Sequence, residues 1–450
     1  MICFSTASKP NRDFFTFGLT IVLITLIQIS PVAAEPYLTI EEAIKMAQDH
    51  SFAVKVSDYQ LKAARFDLNS VNAERYPTLS LNASGFYINK LQTVDALPVP
   101  MELGSHENYQ ADLNLSLPIY TGGKLGGMIK AAKAATKARS YEYEAQKMAV
   151  AFQSRRAWLN LSMRHRLVNS AKASLNRISI IKENITNLYQ NGLADSVDIL
   201  ETELAYENVH EQLLQMENEL HNASTGLAIL IGIYSKEIIE LPPDVPNPEI
   251  SILHYQNLLV DTDSIFRPEL KKISSQIQSA QQQIRITKAA YLPSLTGFGG
   301  YSIGKPNRDM FNAEWNDFFS AGLALNWEFN FGGKTGNKIS TAKQQLMSAQ
   351  TNYLAFEEKL MLEAEISLEN ILSAYRLYQS SERKLNITGN KFRLAKEKQK
   401  AGGLSVNRLL EIEAEYLAAE QIYFVSQLKY FMDESYFLYA TGSDKIYGGF

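Results

Sequence analysis

The chain has 450 residues, 46% of them hydrophobic and 20% charged, with a formal net charge of −4 and a single cysteine. That length allows several domains of ordinary size. The slightly acidic balance offers no basic face to neutralise phosphates and excludes nucleic acid as a partner, while a lone cysteine excludes disulfides within the chain and cysteine metal sites.

Residues 1–34 read as a cleaved secretory signal. Lys9 and Arg12 precede an apolar run at 14–29, and Pro31-Val32-Ala33-Ala34 supplies the small-residue exit. A membrane anchor would want about 20 apolar residues, and Thr16, Thr20, Thr25 and Gln28 interrupt this run. Cys3 lies inside the signal, and Ala34 and Glu35 stand where a lipid anchor would need cysteine. No later apolar run is long enough for a helix to cross a bilayer, so any crossing falls to strands.

The first half, 35–240, opens on Thr39-x-x-Glu42, a capping box. The helix it starts is expected to run to about residue 74, before Pro77. A strand follows at about 77–89, with Leu79, Leu81, Ala83 and Tyr87 opposite Thr78, Ser80, Asn82 and Ser84. The next, at about 109–120, sets Tyr109, Ala111, Leu113, Leu115, Leu117 and Ile119 against Gln110, Asp112, Asn114 and Ser116. Period two is the strand signature. A helix at about 123–190 is free of proline, and Asn191-Gly192 reverses it into a return helix at about 194–231. That helix carries Ile199, Thr202, Tyr206, Val209, Leu213, Met216 and Leu220 at coiled-coil spacing. Two helices joined by so short a turn form an antiparallel hairpin.

A proline-rich linker at 241–250 separates this half from a second, 251–442, followed by a short tail at 443–450. The second half repeats the plan. A helix runs from near Pro268 to the approach of Pro293, then strands at about 293–303 and 317–331. The latter sets Phe319, Ala321, Leu323, Leu325, Trp327, Phe329 and Phe331 against Ser320, Gly322, Ala324, Asn326, Glu328 and Asn330. Helices at about 333–400 and 404–440 meet at Gly402-Gly403, and Leu409, Ile412, Tyr416, Ala419 and Tyr423 mark the seam of the last.

The halves are copies. Tyr120-Thr121-Gly122-Gly123-Lys124 reappears as Asn330-Phe331-Gly332-Gly333-Lys334. Tyr76-Pro77-Thr78-Leu79 is echoed by Leu292-Pro293-Ser294-Leu295, and Gly192-Leu193-Ala194-Asp195 by Gly403-Leu404-Ser405-Val406. The period, about 210 residues, is far beyond solenoid repeats and signals a duplicated domain half. Each longest helix would reach roughly 100 Å at 1.5 Å per residue. The strands match the roughly 9–11 residues that cross a bilayer at a tilt. Four strands cannot close a barrel and open edges are not tolerated in lipid. Spanning barrels start at about eight strands, so two or three copies must pool theirs. The competing reading is a periplasmic coiled-coil scaffold or adaptor without a pore, its strands forming a soluble sheet.

Several motifs imitate chemistry without supporting it. Gly299-x-x-x-x-Gly304-Lys305 is followed by Pro306 where a phosphate-binding loop needs Ser or Thr. His50, His106, His165, His210, His221 and His254 show no ligand spacing, and Asp261-Thr262-Asp263-Ser264 lacks the glycine and terminal glutamate of a calcium loop. No catalytic residue, metal site or cofactor is expected.

Over its mature length the chain resembles the TolC family of outer-membrane efflux proteins. The resemblance is carried by Leu38-Thr39-Ile40-Glu41-Glu42-Ala43-Ile44, by Pro77 and Pro293, by Leu117-Pro118-Ile119-Tyr120-Thr121-Gly122-Gly123-Lys124 and by the duplicated order. It implies an α+β membrane protein acting as a homotrimer. A twelve-stranded β-barrel in outer-membrane lipid would be continued by a periplasmic helical barrel of α-helical hairpins. It implies a non-enzymatic channel, partnered by a periplasmic adaptor and an inner-membrane transporter, that passes small molecules, metals or polypeptides outward. Gly192, Leu193, Ala194, Asp195 and Ser196, with Gly402, Gly403, Leu404 and Ser405, resemble adaptor-docking tips. Asp198 matches an acidic gate position, whose second-half match is Asn407, with Glu411 one turn on.

Overall fold

The computed structural model describes residues 37–94, 101–233, 237–243, 245–249, 267–308 and 314–449. The expected signal at 1–34 and the Asp261 to Ser264 segment lie outside them.

Helix α1 (Ile40–His50) begins at the capping box: the Glu42 N–H donates to Thr39 Oγ1 at 3.3 Å and the Thr39 N–H to Glu42 Oε2 at 3.1 Å. Ile40, Ala43, Ile44 and Ala47 form its buried face. The single helix expected to run to residue 74 is in fact two. Ser51 turns extended (φ −53°, ψ 118°), and its Oγ accepts from the Val54 N–H to cap α2 (Phe52–Ala73). A serine hydroxyl offers the backbone an alternative to helix continuation. The break lets α1 pack on α3 and α4 while α2 follows α3.

Strand β1 (Thr78–Tyr87) pairs with β4 (Glu107–Tyr120). Between them lies a small hairpin, β2 (Gln92–Val94) and β3 (Met101–Leu103), where no strand was expected. Gly122 and Gly123 then turn the chain with φ of 62° and 82°. A Cβ at Gly122 would stand 2.9 Å from Leu292 Cβ and 3.0 Å from the Ala289 carbonyl, so the strand exit fits only glycine. Helix α3 (Lys124–Gln190) and its duplicate α6 (Lys334–Lys400) are 67 residues each. Return helices α4 (Ser196–Ile231) and α7 (Val406–Thr441) follow them. Helix α5 (Pro268–Lys288) opens with proline at its first turn and leads to β5 (Ser294–Lys305) and β6 (Asn316–Asn326).

The four long strands form one antiparallel sheet in the order β1-β4-β5-β6. On the helical side, α3 packs against α2 and α5 near the sheet, and against α4 and α7 further away; α6 packs against α5 and α7. The helices thus form a layer with α2 and α4 along one margin and α6 along the other. Its main core gathers Trp158, Leu159, Leu161, Leu227, Ile371, Leu428 and Phe437. A second cluster, nearer the helix reversals, holds Ile178, Ile181, Ile185, Leu409, Ile412 and Phe392.

The chain ends and the seam between the halves are stapled to the middle of this layer. Trp158 Nε1 donates to the Leu38 carbonyl at 2.8 Å. Arg155, 1% exposed, donates to the Gly448 carbonyl at 2.5 Å and to Ser435 Oγ at 2.9 Å. Gln427 Nε2 reaches the Pro246 carbonyl at 3.2 Å, and the Tyr430 hydroxyl the Glu249 carbonyl at 3.0 Å. Proline-rich backbone that cannot satisfy itself in a helix or sheet is satisfied by side chains instead.

Candidate functional site

The sheet is two-faced, and its register aligns the faces across all four strands. Leu79 lies opposite Leu115, Leu115 opposite Gly299 and Gly299 opposite Ala321; one step on, Leu81, Leu113, Tyr301 and Phe319 form the next row. Leu81 is 71% exposed and Leu323 66%, so nothing among the described residues covers this apolar face. A face of that size left bare in water would be a severe cost at about 25 cal/mol per Å². The intervening rows are polar: Ser80, Asn114, Gly300 and Ser320 in one, Asn82, Asp112, Ser302 and Phe318 in the next.

Aromatic rings mark both ends of the apolar face. At the loop end Tyr87 stacks on His106 with ring centroids 5.7 Å apart, and Tyr109 on Trp315 at 6.2 Å. At the helix end Trp327 lies 4.7 Å from Phe329 and donates through Nε1 to the Tyr291 carbonyl. The strand expected to reach 331 ends at Asn326, the last residue paired with β5. Trp327, Phe329 and Phe331 continue the alternation of the strand, but as exposed rings at the strand-to-helix corner. Such girdles flank the apolar band of spanning strands. Among the described residues no helix is long and apolar enough to cross a membrane.

The two outer strands, β1 and β6, run antiparallel to one another. A second copy set edge to edge would therefore continue the alternation without a break. The helical margins are equally uncovered among the described residues. Helix α2 exposes Phe52, Val56, Tyr59 and Phe66, α4 exposes Leu200, Leu204 and Leu214, and α6 exposes Met347, Leu354, Leu362, Leu377, Ile387 and Leu394. At 3.6 residues per turn each set stays on one side of its helix, which makes these stripes and not scattered residues.

At the far end of the layer the chain reverses twice. After α3, Gly192 takes φ 72°, its N–H donating to the Tyr189 carbonyl while the Leu193 N–H donates to that of Leu188, both at 2.9 Å. Left-handed glycine with these bonds closes a helix end. Leu193 is 74% exposed and Ala194 half-buried. Asp195 caps α4, receiving the Ser196 N–H at 2.5 Å, and Asp198 Oδ2 accepts the Asp195 N–H at 3.2 Å in a reciprocal box. After α6, Gly402 has φ 73°, the Gly403 N–H bonds the Lys398 carbonyl, and Ser405 Oγ accepts the Arg408 N–H at 3.4 Å. Asn407 is exposed, and Glu411 is paired with Arg408 at 2.5 Å. Ala194 and Leu404 pack on the same apolar cluster, which brings the two tips together.

Sequence reasoning singled out Asp198 and Glu411, and Asp195 as a tip residue, but not the box that joins Asp195 to Asp198 or the pairing of Arg408 with Glu411. The spacings Asp195-x-x-Asp198 and Arg408-x-x-Glu411 were the available signals. It also missed a buried network about two turns above the tip. There Glu413, 1% exposed, accepts from Ser174 Oγ at 2.8 Å and Arg177 Nε at 2.9 Å, and Arg177 stacks over the Tyr416 ring at 4.8 Å. Burial pushes the Glu413 carboxyl above its ordinary range, against the opposing pull of Ser174 and Arg177. The pair ties α3 to α7, one helix from each half.

Among the described residues no group of three or more His, Cys, Asp or Glu side chains is placed to hold a metal ion. The model of the outer membrane efflux protein family matches residues 43–233 and 265–430. SilC, a probable outer membrane lipoprotein of Salmonella typhimurium, is 20% identical over 400 residues, covering 85% of this chain and 81% of its own. The cation efflux system protein CusC of Escherichia coli strain K12 is 22% identical over 381 residues, 82% of this chain and 78% of its own. The crystal structure of the outer membrane protein VceC of Vibrio cholerae superposes with a TM-score of 0.73 at 18% identity, covering 90% of this chain and 96% of that one.

Proposed function

This chain belongs to the outer membrane efflux protein family, and from that premise we propose that three copies close one channel through the outer membrane and across the periplasm. The family is one of outer-membrane efflux channels, transporters and not enzymes. The observation that carries assembly from several copies is the sheet, with four strands, one apolar face and, among the described residues, two free edges of opposite direction; the number three rests on the family resemblance. Four strands per copy make twelve in three, and a closed barrel leaves no unpaired backbone in lipid.

The stripes on α2 and α4 then face the stripe on α6 of the next copy, closing the helices into the periplasmic part of the same conduit. Residues 1–34 direct export of the chain and are removed. The tips, Gly192 to Ser196 and Gly402 to Ser405, dock a periplasmic adaptor that couples the channel to an inner-membrane transporter. The exposure of Leu193 and of Val197 beside it supports a docking role, since side chains at a solvent-facing turn have no internal reason to be apolar. Asp198, Asn407 and Glu411 narrow the closed aperture just inside the tips.

Detergent-extracted protein from outer-membrane fractions, sized unheated and boiled and then inserted in planar bilayers, tests this reading. A heat-dissociable trimer with discrete conductance steps is expected. A monomeric periplasmic protein without conductance would favour the scaffold instead.

A further inference from the structure

The polar face of the sheet carries one ionisable side chain among its described residues. The rows on that side hold serine, threonine, asparagine, glutamine, glycine, alanine, proline and phenylalanine, with Asp112 the exception. Its carboxylate is held along the strand by Gln110 Nε2, at 3.0 and 2.9 Å from the two oxygens. In register it shares a row with Asn82, Ser302 and Phe318.

A second charge reaches the same level from the turn after β5. Asn307 folds back over the polar face, its Nδ2 donating to Ser302 Oγ at 3.3 Å and to the Asn316 carbonyl at 3.4 Å. Gly304 leaves room for this, because a Cβ there would already be 3.4 Å from Asn307 Cβ and 2.8 Å from the Tyr109 carbonyl. Next in the chain, Arg308 lies with its guanidinium carbon 3.8 Å from the centroid of the Phe318 ring. Arginine over an aromatic face is held by the ring quadrupole as well as by contact. Phe318 is two strands from Asp112, about 10 Å at the usual strand spacing.

We propose that Asp112 and Arg308 form the charge-selective ring of the barrel, deciding the sign of the small ions and solutes that pass its outer half. The proposal rests on the closed trimeric barrel, in which the polar face becomes the lumen. Three copies then place three carboxylates and three guanidinium groups alternately around one level, where the other described residues of the polar face are neutral. Rings of acidic side chains favour cations and rings of basic ones favour anions. Here the two oppose each other, so removing either exposes the other.

The test is the reversal potential of the trimer in planar bilayers under a potassium chloride gradient, for wild type, Asp112→Asn and Arg308→Gln. Both side chains are accessible to solvent, and the unheated trimer band checks assembly of each variant. Near 10 mM salt the Debye length is about 30 Å, so the ring acts across the pore. Asp112→Asn is expected to lower the cation-to-anion permeability ratio roughly twofold or more, and Arg308→Gln to raise it by a similar factor. Shifts of the same sign, or none, in variants that still give discrete steps would overturn the ring. Absence of steps in the wild type would overturn the channel itself.

Discussion

Arg155 is the side chain on which the chain's end most depends. It is all but fully buried, bridges Ser435 and the Gly448 carbonyl, and stands 3.8 Å from Glu434. Arg155→Met keeps much of the volume but strands those acceptors, which is expected to cost about 2–4 kcal/mol. Thermal unfolding of the detergent-solubilised protein reads this, and a loss below about 1 kcal/mol would show the tail to be held by Ile446 packing instead. Glu413 makes a pH-dependent contribution. Its carboxyl titrates higher in the folded chain than the ordinary value of 4.5, so the folded state binds more protons in the window above that value. Stability from this group is therefore lost as pH rises from 4.5 through its raised pKa, and regained on acidification. Glu413→Gln removes the titration: the melting temperature of the variant relative to wild type is expected to climb across that window and then level off. A difference flat with pH would contradict the assignment. Neither residue was legible in the sequence, where an arginine or glutamate on a long helix reads as part of a solvated face. Only the approach of α7 to α3 makes them buried.

At the scale of elements, the strands were the most legible feature, because period two over an apolar face leaves few alternatives. Their ends were not. Trp327, Phe329 and Phe331 alternate as a strand does, yet β5 offers partners only as far as Ser294, opposite Asn326. Ser51 likewise looked like one more helical residue, and its conversion to a cap is decided by the packing of α1 against α3 and α4. The reversals, by contrast, were marked by their glycines, and the structure places φ values of 72° and 73° at Gly192 and Gly402. With nothing within 4 Å of a Cβ at either position, substitution tests backbone strain alone. Gly192→Ala and Gly402→Ala are each expected to cost about 1 kcal/mol locally, and Asp195→Ala a similar amount through the lost cap. Hydrogen exchange of amides in the tip turns should speed up roughly fivefold at such a cost, while exchange near Trp158 stays unchanged. Faster exchange throughout the molecule would mean that the tips are not independent of the core.

For the whole molecule, the duplication and the long helices indicated an assembly of copies before any contact was known, because four strands with an apolar face cannot stand alone in lipid. The number of copies was not legible from the residues, since eight strands and twelve both satisfy that constraint. The surfaces that close the ring emerge only from the fold, which leaves the α6 stripe bare on one margin and those of α2 and α4 bare on the other. Leu377→Glu combined with Ile387→Glu puts two charges into the proposed contact between copies, and is expected to abolish the unheated trimer band. A trimer of wild-type heat resistance would place the contact elsewhere. The central claim is tested most directly at the sheet edges. With Leu81→Cys on β1, single cysteines placed in turn along β6 from Phe319 to Leu325 would be oxidised in outer membranes. The boiled products would then be sized. Paired strands bring Cβ atoms to about 4.5–5.5 Å, close to disulfide range. The account predicts one register at which linked chains appear in twos and threes and no larger. Ladders extending past three chains, or no cross-link at any register, would contradict it.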